Sequence, residues 1–103
     1  MSTLTIDREA LALELGFTET SLIVYLDDGR SVSAPLAWYP RLAAGTKKER
    51  EHYELIGDGE GIHWPALDED ISVEGIIAGR SSAESADSLS RWFSRRLSSN
   101  QTE

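Results

Sequence analysis

The 103-residue sequence contains no cysteine, only two histidines and three prolines. Without cysteine the chain has no disulfide, no thiol nucleophile and no thiolate ligand for zinc. No apolar run is long enough to span a bilayer, and the N-terminus lacks the basic and apolar regions of a signal peptide. We therefore expect a cytoplasmic protein that does not interact with a membrane.

Basic residues are also scarce, with 10 Lys and Arg against 18 Asp and Glu and a formal net charge of −8. The acidic excess lies in residues 1–79, whereas residues 80–103 contain four arginines and three acids. An acidic body repels a phosphate backbone, which disfavours nucleic acid as its partner, but it attracts a basic protein. The simpler alternative is that the charge only maintains solubility.

Three alternating segments predict an antiparallel meander in the first part of the chain. Apolar residues occupy every second position of residues 11–17, 21–27 and 30–36, the period of half-buried strands. The predicted inner face of the first strand consists of Leu11, Leu13, Leu15 and Phe17. Asp28-Gly29 predicts a type I′ turn between the second and third strands. Pro35 removes a backbone donor, so we expect the third strand to end near it.

Helical signals begin after the meander. Thr46 and Glu49 have the spacing of a capping box, which predicts a short helix from Lys47 to about Glu54. Residues 61–64 can form a short additional strand that Pro65 ends.

The pattern of residues 71–78 fits two structures. Asp70 is a candidate N-cap and Gly79 a candidate C-terminal stop for a helix, but the alternation of Ile71, Val73 and Gly75 also suits a strand. The local sequence leaves this choice open.

A C-terminal amphipathic helix is predicted for residues 84–97. Ser81 and Glu84 have capping-box spacing, and acids in the first turn with arginines in the last complement the helix dipole. One apolar face recurs every three or four residues: Ala86, Leu89, Phe93 and Leu97.

Together these elements predict the fold class α+β, with short helices packed on a three-stranded antiparallel meander. The length fits one domain. We expect the following organisation: a domain in residues 1–79 with frayed residues 1–9, a linker in 80–83, a helix in 84–97 and a disordered tail in 98–103.

The segment Gly57–Gly75 concentrates unusual residues, but none of its patterns matches a known catalytic or phosphate-binding motif. Its first three glycines alternate with Asp58 and Glu60, fit neither a Walker nor a dinucleotide motif, and most simply permit a tight backbone path. In a calcium loop starting at Asp68, the required glycine would be Val73. The calcium-loop interpretation therefore fails, and no serine nucleophile motif is present.

A looser divalent-metal site would combine His63 with nearby acids such as Asp68. One histidine among surface acids more often indicates a hydrogen-bonded loop than a metal site, so we expect no metal and no cofactor. Glu49 and His52 have the spacing of half a di-iron site, but that site needs the motif twice.

Trp64 has two interpretations. A tryptophan in a small domain most often fills the core. Next to Pro65 and an acidic loop, Trp64 could instead anchor a partner, since tryptophan is enriched in binding hot spots. The second interpretation gives a predicted partner-binding site of Trp64, Asp68, Glu69 and Asp70.

Four blocks of the sequence resemble a known family. They are Trp38–Leu42 (WYPRL), Tyr53–Gly57 (YELIG), Gly61–Pro65 (GIHWP) and Leu67–Gly75 (LDEDISVEG). The chain resembles, over about residues 8–79, the small bacterial domain-of-unknown-function family numbered twenty-four forty-two. The resemblance implies an α+β domain in which the element at 71–78 is helical. It also implies no established activity and a frequent pairing with another small protein in a toxin–antitoxin-like arrangement.

Three hypotheses follow for function. The first is a non-enzymatic, antitoxin-like interaction module that binds a small, basic cognate protein. The second is a dimeric accessory domain that contacts nucleic acid through Arg91, Arg95 and Arg96; some members of the family have a helix-turn-helix, but one helix is too little for that motif. The third is a metal-dependent enzyme centred on His63. Candidate self-association residues on the C-terminal helix are Leu89, Trp92 and Phe93.

Overall fold

The computed structural model describes residues 10–101, with side-chain environments through Leu97. The predicted frayed residues 1–9 and the last two residues of the predicted tail lie outside this range. The fold is α+β and contains two three-stranded antiparallel sheets, in the orders β1-β2-β3 and β4-β5-β6. The strands are β1 (Ala12–Phe17), β2 (Ser21–Leu26), β3 (Ser31–Pro35), β4 (Glu54–Ile56), β5 (Gly61–Trp64) and β6 (Glu69–Ser72). The helices are α1 (Pro40–Ala44), α2 (Lys47–Glu51), α3 (Val73–Ile77) and α4 (Ala86–Gln101), with short 3-10 turns at Leu36–Trp38 and Gly57–Gly59.

The first sheet is the predicted meander, but its first strand contains an irregularity between Ala12 and Glu14. The extra residue shifts the alternation, as a β-bulge does. Ala12 and Leu15 are therefore buried, whereas Leu13 is 62% exposed. The prediction that Leu13 faces the core is wrong for this reason.

The turn between β2 and β3 is longer than a type I′ turn. The Gly29 N–H donates to the Leu26 carbonyl (3.2 Å), and the Leu26 N–H donates to the Arg30 carbonyl (2.9 Å). Gly29 has a positive φ of 94°, whereas the φ of Asp28 is not positive. This is the three-residue loop in which a glycine follows a tight turn, so the predicted turn type is wrong while the hairpin is present.

The predicted capping box of α2 is confirmed. Thr46 Oγ1 accepts from the Glu49 N–H (3.1 Å), and Glu49 Oε1 accepts from the Thr46 N–H (2.9 Å). The helix ends at Glu51 rather than near Glu54 because Glu54 starts β4.

The predicted short strand at 61–64 is present as β5, the central strand of the second sheet. Asp70 lies within β6 opposite His63, so it is not a helix N-cap. Ser72 is the N-cap, because its Oγ accepts from the Gly75 N–H (2.9 Å). The open choice at 71–78 thus resolves into both structures, a strand that ends at Ser72 and a helix that starts at Val73.

Helix α3 ends just before Gly79, the glycine that was predicted to terminate it. Gly79 has a φ of 79° and donates to the Ile76 carbonyl (3.0 Å), while the Arg80 N–H donates to the Gly75 carbonyl (2.9 Å). These two bonds form a Schellman motif.

The inner faces of the two sheets share one hydrophobic core. Its fully buried side chains include Leu22 and Val24 from the first sheet and Ile62 and Trp64 from the second. Burying these large apolar groups is the main favourable term in the stability of such a small domain.

The C-terminal helix α4 starts two residues later than predicted. Ser85 Oγ accepts from the Ser88 N–H (3.1 Å), as an N-cap does, whereas Ser82 Oγ accepts from the Glu84 N–H (3.2 Å). The predicted Ser81–Glu84 capping box is therefore wrong. The helix runs past the predicted end at residue 97, and none of the helices in residues 10–101 is long and apolar enough to cross a membrane.

Candidate functional site

The glycines of Gly57–Gly61 shape the backbone between β4 and β5. Gly57 and Gly59 have positive φ values of 60° and 110°, and a Cβ on Gly59 would lie 2.4 Å from the Ala12 carbonyl oxygen. Only glycine fits such a close approach. The interpretation of a tight backbone path is confirmed.

The three consecutive acids of the predicted partner-binding site point in different directions. Asp68 lies in the turn before β6 with a φ of 52°, and Glu69 is half-buried, while Asp70 is exposed. Glu69 and Asp70 differ because side chains alternate along a strand, whereas Asp68 precedes β6. The three acids therefore differ in exposure, although Glu69 and Asp70 both line one cleft beside β6.

Two of these acids have partners within the protein. Asp70 Oδ1 is 2.6 Å from His63 Nδ1, and Asp68 Oδ2 is 3.5 Å from Arg41 Nη1. His63 and Asp68 thus interact with different residues. The described part of the chain contains no group of three or more His, Asp or Glu arranged to hold a metal ion.

Trp64 is part of the core, with no exposed surface. Its indole Nε1 donates to the Arg50 carbonyl (2.9 Å), which satisfies the polar end of the ring. A fully buried ring is not available to a partner, so the core interpretation is correct and Trp64 is removed from the predicted partner-binding surface.

Arg41, which the sequence analysis did not select, connects the domain to the segment before α4. Its Nε donates to Glu84 Oε1 (2.9 Å), its Nη2 pairs with Glu84 Oε2, and its Nη1 donates to the Asp68 carbonyl (2.8 Å). The Arg41 guanidinium lowers the pKa of Glu84 below its usual value. The side chains are only 11% and 12% exposed, so this pair is largely shielded from water.

Trp92 of α4 is buried against the domain and lies between two arginines. The guanidinium carbons of Arg41 and Arg96 lie 5.2 Å and 4.9 Å from the ring centroid. Arg96 Nη2 also donates to Glu49 Oε1 (3.0 Å), and this contact lowers the pKa of Glu49. Cation–π contacts and charged hydrogen bonds therefore hold one face of α4.

These contacts change the predicted roles on α4. Trp92 is buried against its own domain, and Leu89 is partly buried against the core, so neither is free for self-association. Phe93 is 40% exposed and meets the edge of Trp92 at 5.1 Å. Of the three arginines proposed for nucleic acid, Arg96 is paired to Glu49, while Arg91 and Arg95 are exposed.

Glu69 lines a cleft of about 240 Å³ between β6 and the segment after α3. Burial raises the pKa of Glu69 above its ordinary value, and the nearby carboxylates of Glu84 and Asp70 add to the effect, while Arg41 opposes it. Tyr39 lines the same cleft and donates its hydroxyl hydrogen to the Arg80 carbonyl (3.1 Å). The cleft thus holds a carboxyl group that is costly to ionise.

The outer side of the second sheet forms a separate surface that we name the acidic face. Strand pairing aligns Glu54 with His63 and Asp70 in one row, and Ile56 with Gly61 and Ser72 in the next. Glu60 and Glu74 join the second row around a shallow cleft of about 450 Å³. The acidic face consists of Glu54, Ile56, Glu60, Gly61, His63, Asp70, Ser72 and Glu74.

Ile56 lies between these acidic residues, and its side chain is 48% exposed. Within residues 10–101, Glu54, Glu60 and Glu74 form no ion pair. Sequence reasoning missed this face because residues 54–56, 60–61 and 70–74 come together only through strand pairing. The spacing of Ile56 and Glu60 in the sequence, Ile-x-x-x-Glu, does not by itself indicate a binding site.

Comparisons with known proteins support the fold. A crystal structure of a protein of unknown function from Rhodospirillum rubrum is similar with a TM-score of 0.66 and 26% identity, covering 75% of this chain and 95% of that one. A solution NMR structure of an uncharacterized protein from Chromobacterium violaceum is similar with a TM-score of 0.62 and 20% identity, covering 87% and 82%. No curated protein gives a significant match.

The family model described as "Protein of unknown function (DUF2442)" matches residues 12–82, which include both sheets and α3 but end before α4. The four blocks that carry the sequence resemblance all fall inside this match. The chain therefore belongs to the DUF2442 family of proteins of unknown function.

Proposed function

We propose that the protein is an interaction module whose acidic face binds a small basic protein. The observation that supports this proposal is the arrangement of Glu54, Glu60 and Glu74 around the half-exposed Ile56. Carboxylates without a cationic partner in the described part of the chain are available to lysine or arginine side chains of a partner.

Charge determines the kind of partner. The chain has a formal net charge of −8, so its field attracts basic proteins over a distance and repels acidic ones and nucleic acid. On contact, cations at the rim meet Glu60 and Glu74, and an apolar side chain covers Ile56. An apolar centre inside a polar rim is the usual organisation of a protein interface.

The proposed surface differs from the one that the sequence predicted. Asp70 remains in the proposed surface, where it lies in the same row as Glu54 and His63. Trp64 is left out because it is buried, and Asp68 is left out because it precedes β6 and lies in neither row of the face. Glu69 lies in the other cleft. An antitoxin-like role is the special case of this proposal in which the basic partner is a toxin.

A defined probe tests the site without knowledge of the natural partner. A short lysine-rich peptide with one central leucine is titrated into the ¹⁵N-labelled protein, and backbone amide shifts are followed by NMR. We expect saturable shifts at Ile56, Gly61 and Ser72, and weaker binding at higher salt. Shifts spread evenly over all acidic residues would contradict a specific face.

Matched variants distinguish binding at the acidic face from a general effect of the negative charge of the protein. Glu60→Gln/Glu74→Gln removes two charges from the acidic face, whereas Glu14→Gln/Glu19→Gln removes two exposed charges from β1 and the turn that follows it. We expect the first pair to weaken peptide binding about tenfold, the effect of roughly 1.4 kcal/mol. We expect the second pair to change it much less. Equal losses in both variants would overturn the site assignment and leave only a general charge effect.

A further inference from the structure

We infer that the basic partner binds the edge of β4 as an extended strand, so that its backbone continues the second sheet and its cations line the acidic face. This inference rests on the proposed function and adds the form of the partner segment and the order of its side chains. It depends on the direction in which the backbone groups of β4 point.

One hydrogen bond at the end of β5 sets the direction of the peptide groups in the second sheet. The Val73 N–H donates to the Glu60 carbonyl (2.9 Å), so this carbonyl points towards the β6 side. In a trans peptide the carbonyl and the following N–H point in opposite directions, so the Gly61 N–H points towards β4. Gly61 is aligned with Ile56, and these two residues therefore turn their backbone groups towards each other.

Leu55, the residue before Ile56, turns its backbone groups towards the free edge of the sheet. This follows because the N–H and C=O groups change side from one residue of a strand to the next, and β4 is an outermost strand. The Leu55 N–H and C=O form no hydrogen bond with another segment of residues 10–101. All three residues of β4 are exposed. An extended segment can therefore pair with Leu55 through two backbone hydrogen bonds.

An added strand continues the row of Glu54, His63 and Asp70 on the acidic face. Side chains directly opposite each other on neighbouring strands have Cβ atoms about 5 Å apart, so a lysine beside Glu54 is close enough for an ion pair. The next residue of the added strand lies opposite Leu55 and points to the other face of the sheet. Leu55 is 36% exposed, so an apolar side chain fits at this position.

The residue of the added strand opposite Ile56 returns to the acidic face. A lysine there lays its methylene stem along the exposed side of Ile56 and extends its ammonium group towards Glu60 and Glu74, which line the shallow cleft. The partner segment therefore has the order lysine or arginine, apolar residue, lysine or arginine, with the apolar residue opposite Leu55.

Charge decides between a basic strand and a second copy of this chain. Two copies paired through β4 would join two acidic faces in one sheet surface, with Glu54, Glu60 and Glu74 of both copies on the same side. Like charges opposite each other on a sheet are destabilising, whereas opposite charges stabilise the pairing. The carboxylates of the face therefore select a partner strand with cations on that side.

Backbone-methylated peptides test the pairing without changing the protein. The probes are three peptides of the same Lys-Val repeat: one unmodified, one N-methylated at the valines and one N-methylated at the lysines. In the proposed pairing the valine N–H donates to the Leu55 carbonyl, and the lysine N–H points away from β4. We expect valine methylation to weaken binding about tenfold, because it removes this donor and brings a methyl group against the carbonyl. Lysine methylation should change binding much less.

Hydrogen exchange of the Leu55 amide is an independent measurement. We expect the unmodified peptide at saturation to slow this exchange about tenfold, because a paired amide exchanges only when the pair opens. Leu55→Pro removes the same donor from the protein, and it leaves the bonds between β4 and β5 in place because this N–H points away from β5. It should weaken peptide binding, whereas the control Leu55→Val keeps the donor and should bind as the unmodified chain does. Circular dichroism confirms that both variants are folded.

Equal binding of the two methylated peptides, with unchanged exchange at Leu55, would overturn the added strand. Peptide-induced shifts at Ile56, Gly61 and Ser72 would then still support the acidic face, so failure of this inference and failure of the proposed function are distinguishable. Slow exchange at Leu55 that depends on protein concentration without peptide would show a second copy at this edge and would also overturn the inference.

Discussion

The guanidinium of Arg41 and the carboxylate of Glu84 form a two-point ion pair across 43 residues of sequence, and this pair joins α1 to the segment that leads into α4. Trp92 and Ser88 lie against the same pair, since the Arg41 guanidinium stacks on the Trp92 ring and Ser88 Oγ donates to Glu84 Oε2 (2.8 Å). Arg41 is therefore one of the residues that fix the position of the C-terminal helix, together with the Arg96–Glu49 pair and the burial of Trp92.

Replacing Arg41 by methionine should destabilise the protein by about 3 kcal/mol. The change keeps apolar bulk but leaves Glu84 largely buried without its cation, which is the costly way to break such a pair. Urea unfolding measures the loss. The double variant Arg41→Met/Glu84→Met removes both charges and should recover part of it. A double variant as unstable as the sum of the single variants would contradict direct coupling.

Acid should release α4 from the domain. Arg41 and Arg96 lower the pKa values of Glu84 and Glu49 in the folded protein. Their stabilisation is therefore present above the ordinary glutamate pKa of 4.5 and is lost as the pH falls through the lower folded values. We expect the indole NH signal of Trp92 to move towards that of an exposed tryptophan in this range, before the signal of Trp64 changes. Simultaneous changes at both rings would show global unfolding instead.

Glu69→Gln should stabilise the protein at neutral pH. Burial raises the pKa of Glu69, so the folded protein is less stable above that pKa, where the carboxyl group must ionise. Glutamine removes this cost and keeps the shape. The gain in melting temperature should disappear as the pH falls below the ordinary value of 4.5, because both states then hold the proton. A gain of equal size at all pH values would contradict this explanation.

Trp64→Phe should affect stability and leave peptide binding at the acidic face intact. The smaller ring leaves space in the core and the Arg50 carbonyl without its donor, for a combined cost of about 2 kcal/mol. Chemical unfolding measures this cost, and the peptide titration is repeated under conditions where the variant is folded. A loss of peptide binding by the folded variant would restore Trp64 to the partner-binding surface.

Two glycine substitutions should differ strongly. A Cβ at Gly59 would lie 2.4 Å from the Ala12 carbonyl oxygen, whereas a Cβ at Gly29 meets no atom within 4 Å, although both residues have positive φ. Gly29→Ala should cost about 1 kcal/mol from backbone strain alone. Gly59→Ala should cost more than this, because β1 must move as well. Similar unfolding midpoints for the two variants would contradict the close packing of the Gly57–Gly59 turn on β1.

Local patterns in the sequence were sufficient for the features that depend on neighbouring residues. The alternation of β2, the Thr46–Glu49 capping box and the Gly79 helix stop are all present as predicted. The exclusion of cysteine chemistry and the acidic charge also follow from composition alone. Such features involve backbone groups a few residues apart, so the local sequence determines them.

The tertiary structure decided the features that depend on residues far apart in the chain. The irregularity in β1 turned Leu13 outward, and strand pairing placed Asp70 beside His63 rather than at a helix start. Arg41 meets Glu84 from 43 positions away, and Trp64 finds its acceptor in Arg50. The sequence by itself determined the α+β class and the charge of the surface. Only folding decided which acids have partners, because burial and pairing depend on the register of strands and the packing of helices.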